Sequence, residues 1–110
     1  MPSYLVQCSY ASPALAALIA NPHDRSEHVK KVAKKLGGKI SGSWLSFGEH
    51  DLVMIVEMPD NISAAALSLA AAAGGSLKSI KTTPLMAIAD GLTALKKAAT
   101  SGYTPIVSAK

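Results

Sequence analysis

The chain predicts an α+β domain of the ferredoxin-like kind: a βαββαβ unit forming a four-stranded antiparallel sheet, with an extra C-terminal helix. Three observations carry that expectation. Segments rich in β-formers alternate with segments of helical periodicity. Pro and Gly punctuate the boundaries, at Asn21-Pro22, Gly37-Gly38, Pro59-Asp60 and Gly74-Gly75. The length, 110 residues, suits one domain. Residues 1–100 are assigned to that domain and 101–110 to a tail.

Residues 4–10, Tyr-Leu-Val-Gln-Cys-Ser-Tyr, read as the first strand. Ser12 is the expected N-cap of a helix, with Pro13 at its first position and Leu15, Leu18 and Ile19 at helical spacing. Asn21-Pro22 interrupts that helix. Asp24 restarts it, with Glu27 placed as a capping-box partner. Val29, Val32, Ala33 and Leu36 then form one apolar stripe, with Lys30, Lys31, Lys34 and Lys35 on the opposite side, and Gly37-Gly38 ends the helix. Residues 39–47 form the second strand, Gly48-Glu49-His50 a turn, and residues 51–58 the third strand. The unbroken run Leu52-Val53-Met54-Ile55-Val56 predicts a strand buried on both faces. Asp60 or Asn61 caps an Ala-rich helix that ends at Gly74-Gly75. Residues 76–83 form the fourth strand, stopping before Pro84. Ile88, Leu92 and Leu95 mark a last helix reaching about Thr100.

Apolar residues make up 49% of the chain and charged residues 16%, which excludes a disordered polymer. Aromatic residues are only 5% and alanine is abundant, so the core is thin for its length and subunit contacts are the expected supplement. Two helices cover one face of such a sheet. The other face, where the central strand is also apolar, calls for a second subunit or the last helix, and the subunit is favoured. The single Cys8 forms no internal disulfide, no apolar run has the length of a membrane span, and the N-terminus lacks the pattern of a secretory leader. The expected compartment is the cytoplasm. The net charge of +4 is concentrated in the lysines of one helix face. Without aromatic platforms or an Arg-rich stretch these read as a solvated surface, so neither nucleic acid nor membrane is expected as a partner.

Phe47-Gly48-Glu49-His50-Asp51-Leu52-Val53 resembles the Gly-x-Tyr-Asp signature of the bacterial GYD domain family. Similar segments flank it: Tyr4-Leu5-Val6, Asn21-Pro22-His23-Asp24-Arg25, Leu36-Gly37-Gly38-Lys39, Glu57-Met58-Pro59-Asp60-Asn61, Lys81-Thr82-Thr83-Pro84-Leu85 and Gly102-Tyr103. The resemblance runs over nearly the whole chain. It departs from the family at the signature itself, where His50 stands in the place of the tyrosine, so a role for that tyrosine's hydroxyl does not carry over. The resemblance implies a ferredoxin-like subunit of the dimeric α/β-barrel sort and supplies no particular reaction.

His50 and Asp51 are the candidate catalytic pair, an imidazole beside a carboxylate at the start of a strand. Against this, turns favour polar residues and neighbouring strand residues face opposite ways. Arg25, the sole arginine, suits recognition of a carboxylate or phosphate; an ion pair that fixes its loop is the plainer role. Lys81 is a candidate second cation, its plainer role being solvated edge-strand charge. Tyr10 and Trp44 are candidate ligand-binding aromatics. His23, His28, His50 and Cys8 lack metal-ligand spacing, so no metal and no cofactor are expected. Cys8 in mid-strand reads as a small apolar residue. Pro2, if exposed by loss of Met1, would supply the amine that small tautomerases use, but the halves of the chain lack their repeat. The leading expectation is a homo-oligomeric domain that binds a small anionic or polar-aromatic ligand. The alternatives are a cofactor-independent oxygenase, isomerase or tautomerase, and a purely structural or interaction subunit.

Overall fold

The computed structural model describes residues 1–106. The elements run β1 (Ser3–Tyr10), α1 (Ser12–Ala20), α2 (Ser26–Lys35), β2 (Lys39–Leu45), β3 (Leu52–Glu57), α3 (Asn61–Ala73), β4 (Leu77–Leu85) and α4 (Ile88–Ala99). The strands form one antiparallel sheet in the order β2-β3-β1-β4. That is the ferredoxin-like arrangement, in which each helical crossover skips one strand.

Alternation on the two central strands sets the core. Tyr4, Val6 and Cys8 of β1, and Leu52, Met54 and Val56 of β3, are buried together with Met58, with Ala33 of α2 and with Ala64 and Leu67 of α3. Val29, Val32 and Leu36 of α2 pack against this cluster as the predicted stripe. Tyr4 reaches α3 through its hydroxyl, which donates to Asn61 Oδ1 at 2.5 Å. Asp60 caps α3, its carboxylate accepting the Ser63 amide at 2.8 Å. Gly37, at φ 86°, turns the chain out of α2.

The structure corrects several expectations. The residue at the N-cap of α1 is Ala11, with no side-chain cap, and Ser12 already lies inside the helix. Ala11 is instead tied down by its amide, which donates to the Ser76 carbonyl at 2.9 Å. Glu27 does not close a capping box. Asp24 Oδ1 accepts from both the amide and the hydroxyl of Ser26, and Glu27 pairs weakly with Lys30. β2 ends at Leu45, leaving Phe47 exposed in the turn. β4 continues through Pro84 to Leu85, which an edge strand tolerates because its outer side needs no donor. β3 is buried on its helix face only, with Val53 and Ile55 half-buried on the other.

Among the described residues, no helix covers the second face of the sheet. The register places Leu5 and Gln7 of β1, Val53 and Ile55 of β3, and Lys81, Thr83 and Leu85 of β4 on it. α4 does not fold back over this face and buries none of its residues. The radius of gyration is 17.9 Å and the longest extent 60 Å, against roughly 13 Å of radius for a compact chain of this length.

Candidate functional site

α2 packs on β2 at one edge of the sheet, and α3 packs on β4 at the other. The strip of sheet between them, chiefly β1, lies under a gap. Small side chains on α3, Ala70 and Ala71, do not fill it. The result is a cavity of about 240 Å³. Its floor is Val6, Cys8, Leu52 and Met54. Val29 and Val32 of α2 form one wall, and Leu67 of α3 with Ile80 of β4 the other.

The polar groups of this cavity are few and come mostly from one end: Tyr10, Arg25 and His28, with Ser76 beside them. Burial raises the Tyr10 phenol above its ordinary range, reinforced by Cys8, Asp51 and Asp24, while the Arg25 guanidinium pulls the other way. Tyr10 is held through its backbone: its amide donates to Asp51 Oδ2 at 2.9 Å, and the Asp51 amide donates in turn to the Cys8 carbonyl at 2.7 Å. Hydrogen bonds from Ser26 hold the Asp24 carboxyl below its usual range and fix the loop that delivers Arg25. Cys8 is buried and its thiol is pushed up to about 11, so at neutral pH it is part of the apolar floor.

A second, open groove of about 670 Å³ runs between α1 and the end of β2, lined by Leu15, Leu18 and Ile19 on one side and Ser43 to Leu45 on the other. Tyr10, Arg25 and Leu52 line both spaces and so form the partition between them.

Of the residues singled out by sequence, Tyr10 and Arg25 come together at the cavity mouth. Trp44 borders the second groove, and a β-bulge between Ile40 and Gly42 turns it to the face shared with Val53. Its ring covers Gly42, where a Cβ would lie 2.7 Å from the indole Cη2. Lys81 pairs in register with Gln7 on the helix-free face, opposite the face that carries Arg25. His50 closes the β2–β3 turn and lines neither space, while its neighbour Asp51 is engaged with the Tyr10 backbone. His28 is the cavity residue that the sequence reading passed over as part of a site. Its signal is the spacing Arg25, His28, Val29, Val32, which continues the buried stripe of α2 into its first turn.

Among the described residues, no cluster of three or more His, Cys, Asp or Glu has metal-binding geometry, and no helix is long and apolar enough to cross a membrane. No curated protein and no solved structure matches the chain. The model of one family, the GYD domain, matches residues 4–95, a span that takes in the sheet from Tyr4 onward and the residues lining the cavity, and the chain belongs to that family.

Proposed function

We propose that the protein is a self-associating binding domain that takes a small anionic ligand with an aliphatic or aromatic body into the cavity between the sheet, α2 and α3. The observation that carries this reading is the pairing of an apolar chamber with the sole arginine of the chain at its mouth. Apolar walls with a few converging polar groups are the usual composition of ligand sites, and about 240 Å³ falls below the roughly 300–1,000 Å³ of pockets for drug-sized molecules. A guanidinium offers paired donors to a carboxylate, and the phenol of Tyr10 and the ring of His28 stand within the same wall. In this reading Asp51 acts by holding Tyr10 in place.

Calorimetric titration with hexanoate, benzoate and their amides tests the proposal. The acids bind and the amides bind much more weakly. Arg25→Lys weakens the acids by about 1 kcal/mol or more, in line with loss of charge-assisted hydrogen bonding. Ala71→Leu fills the chamber and abolishes binding. Neutralising Lys34 and Lys35, which lie exposed on the far side of α2, leaves affinity unchanged. Retained affinity in both Arg25→Lys and Ala71→Leu would sink the cavity reading.

A further inference from the structure

We propose that α4 is an exchanged arm: in a pair of chains, each α4 crosses to the second copy and lies on that copy's helix-free sheet face. This rests on the self-association proposed above and specifies its route.

Two unpartnered apolar surfaces occur in the same chain. The first is on α4, where Ile88, Leu92 and Leu95 lie at i, i+4 and i+7 and are 83%, 53% and 66% exposed. Asp90, Thr93, Lys96 and Lys97 are its polar residues, and the remaining positions are alanines and Gly91. An amphipathic helix of 12 residues has too few turns to be stable on its own in water and needs a surface for its apolar stripe. The second surface is the open sheet face, where Leu5, Val53 and Ile55 form a patch across β1 and β3, extended by Trp44 on β2 and Leu85 on β4.

The two surfaces match in size. α4 is about 18 Å long at 1.5 Å per residue, and four strands span about 14 Å from edge to edge. Only Met86 and Ala87 link Leu85 to Ile88, and α4 buries none of its residues against the rest of the chain. The surface area points the same way. The chain exposes 7898 Å², whereas a folded monomer of its mass is expected to expose about 5,700 Å². The excess, on the order of 2,000 Å² per chain, is shared among α4, the open sheet face and the exposed residues 101–106, and it leaves room for the roughly 800 Å² per partner of a standard interface. A reciprocal exchange is isologous and closes as a dimer, so both arms and both faces are covered at once.

The experiment uses two variants, Val53→Cys and Leu92→Cys, each made separately in a Cys8→Ala chain, mixed, allowed to exchange subunits and mildly oxidised. Mass spectrometry under non-reducing conditions then reads the products. Arm exchange yields the covalent pair between one variant and the other. Self-pairing of Val53→Cys alone would mean that two sheet faces meet directly, and would overturn the proposal. So would an internal disulfide in a single dilute chain bearing both substitutions, since α4 would then lie on its own sheet. Light scattering on chains that retain Cys8 separates the two readings. The unaltered protein scatters at twice 11.3 kDa at micromolar concentration, and Leu92→Asp combined with Leu95→Asp scatters as a monomer with its strand circular dichroism intact. A dimer that survives those two substitutions removes arm exchange and leaves self-association standing. A monomeric unaltered protein removes both.

Discussion

Adjacent residues of similar chemistry on β1 and β3 meet opposite conditions. Tyr4, Val6 and Cys8 are buried on the helix side, while Leu5, one position along, stays partly open. Met54 and Val56 are 2% and 0% exposed, while Val53 and Ile55 between and beside them are only half-buried. Both faces of the sheet are apolar at their centre, and only one has a second layer. Hydrophobic side chains commit a strand to burial, but the element that covers them decides whether burial is completed within one chain. The covered face supports the fold and encloses the cavity, and the open face has no covering helix among the described residues.

The largest test of this contrast compares Met54 with Ile55. Met54→Ala deletes fully buried atoms, and large-to-small substitutions of that kind cost about 2–5 kcal/mol. Ile55→Ala removes a side chain that is half-solvated in the single chain, so it costs the monomer well below that range and chiefly weakens self-association. Urea unfolding at low and high protein concentration checks both. Equal losses at low concentration would mean that the two faces are equally covered within one chain.

A smaller effect is expected at Gly38, where α2 hands over to β2 on the covered side. A Cβ there would collide with the Glu57 carbonyl oxygen and with Met58 Sδ. Gly38→Ala therefore forces either the backbone or a buried methionine to move, at about 1–3 kcal/mol. Gly48 supplies the control. Nothing lies near its Cβ direction, so Gly48→Ala is close to neutral by the same thermal melt.

The contrast also explains what was legible in the sequence. Element order followed from Pro and Gly punctuation, and the α2 stripe from its period, because both are local properties. The end of β4 was missed at Pro84 because tolerance of proline there depends on β4 being an edge, which only the sheet order reveals. Trp44 shares its parity with Ile40 in the sequence, yet the bulge between Ile40 and Gly42 places it on the other face. A one-residue insertion of that kind leaves no mark in an alternating pattern. Arg25 could be named because a sole guanidinium just after a helix break carries recognisable chemistry, and Tyr10 because it is one of few aromatics. The cavity that joins them could not, since it arises from the spacing of α2 and α3 over opposite edges of the sheet.

Alkaline pH probes the covered face from within. Burial raises the Cys8 thiol from 9.0 to about 11, so folding favours the neutral thiol. That contribution is complete below the unfolded value near 9 and is lost as pH rises toward 11. Tyr10, also raised chiefly by burial, adds a loss of the same sign at still higher pH. The melting temperature should hold up to about pH 8.5 and fall beyond. Cys8→Ala should remove the earlier part of the fall and leave the later part. An unchanged onset in that variant would mean that burial does not hold the thiol neutral.

The smallest expected effect asks which helices do the covering. α3 contributes Ala64 and Leu67 to the core, whereas α1 contributes no buried residue. Their N-termini differ in the same sense. Asp60 accepts the Ser63 amide at 2.8 Å, satisfying one of the amides left without a partner in the first turn. α1 begins at Ser12 with no side-chain cap and is anchored by the Ala11 amide on the Ser76 carbonyl, a bond that no side-chain substitution at position 12 removes. Asp60→Ala is therefore expected to cost about 1 kcal/mol, the usual loss for an N-cap. Ser12→Ala should cost a few tenths at most, as exposed substitutions away from special contacts do. Chemical denaturation of both variants at one protein concentration decides the matter. A loss at Ser12 equal to that at Asp60 would show α1 to be as integral to the covering layer as α3, and the covered face would then extend over the groove beside Tyr10 and Arg25.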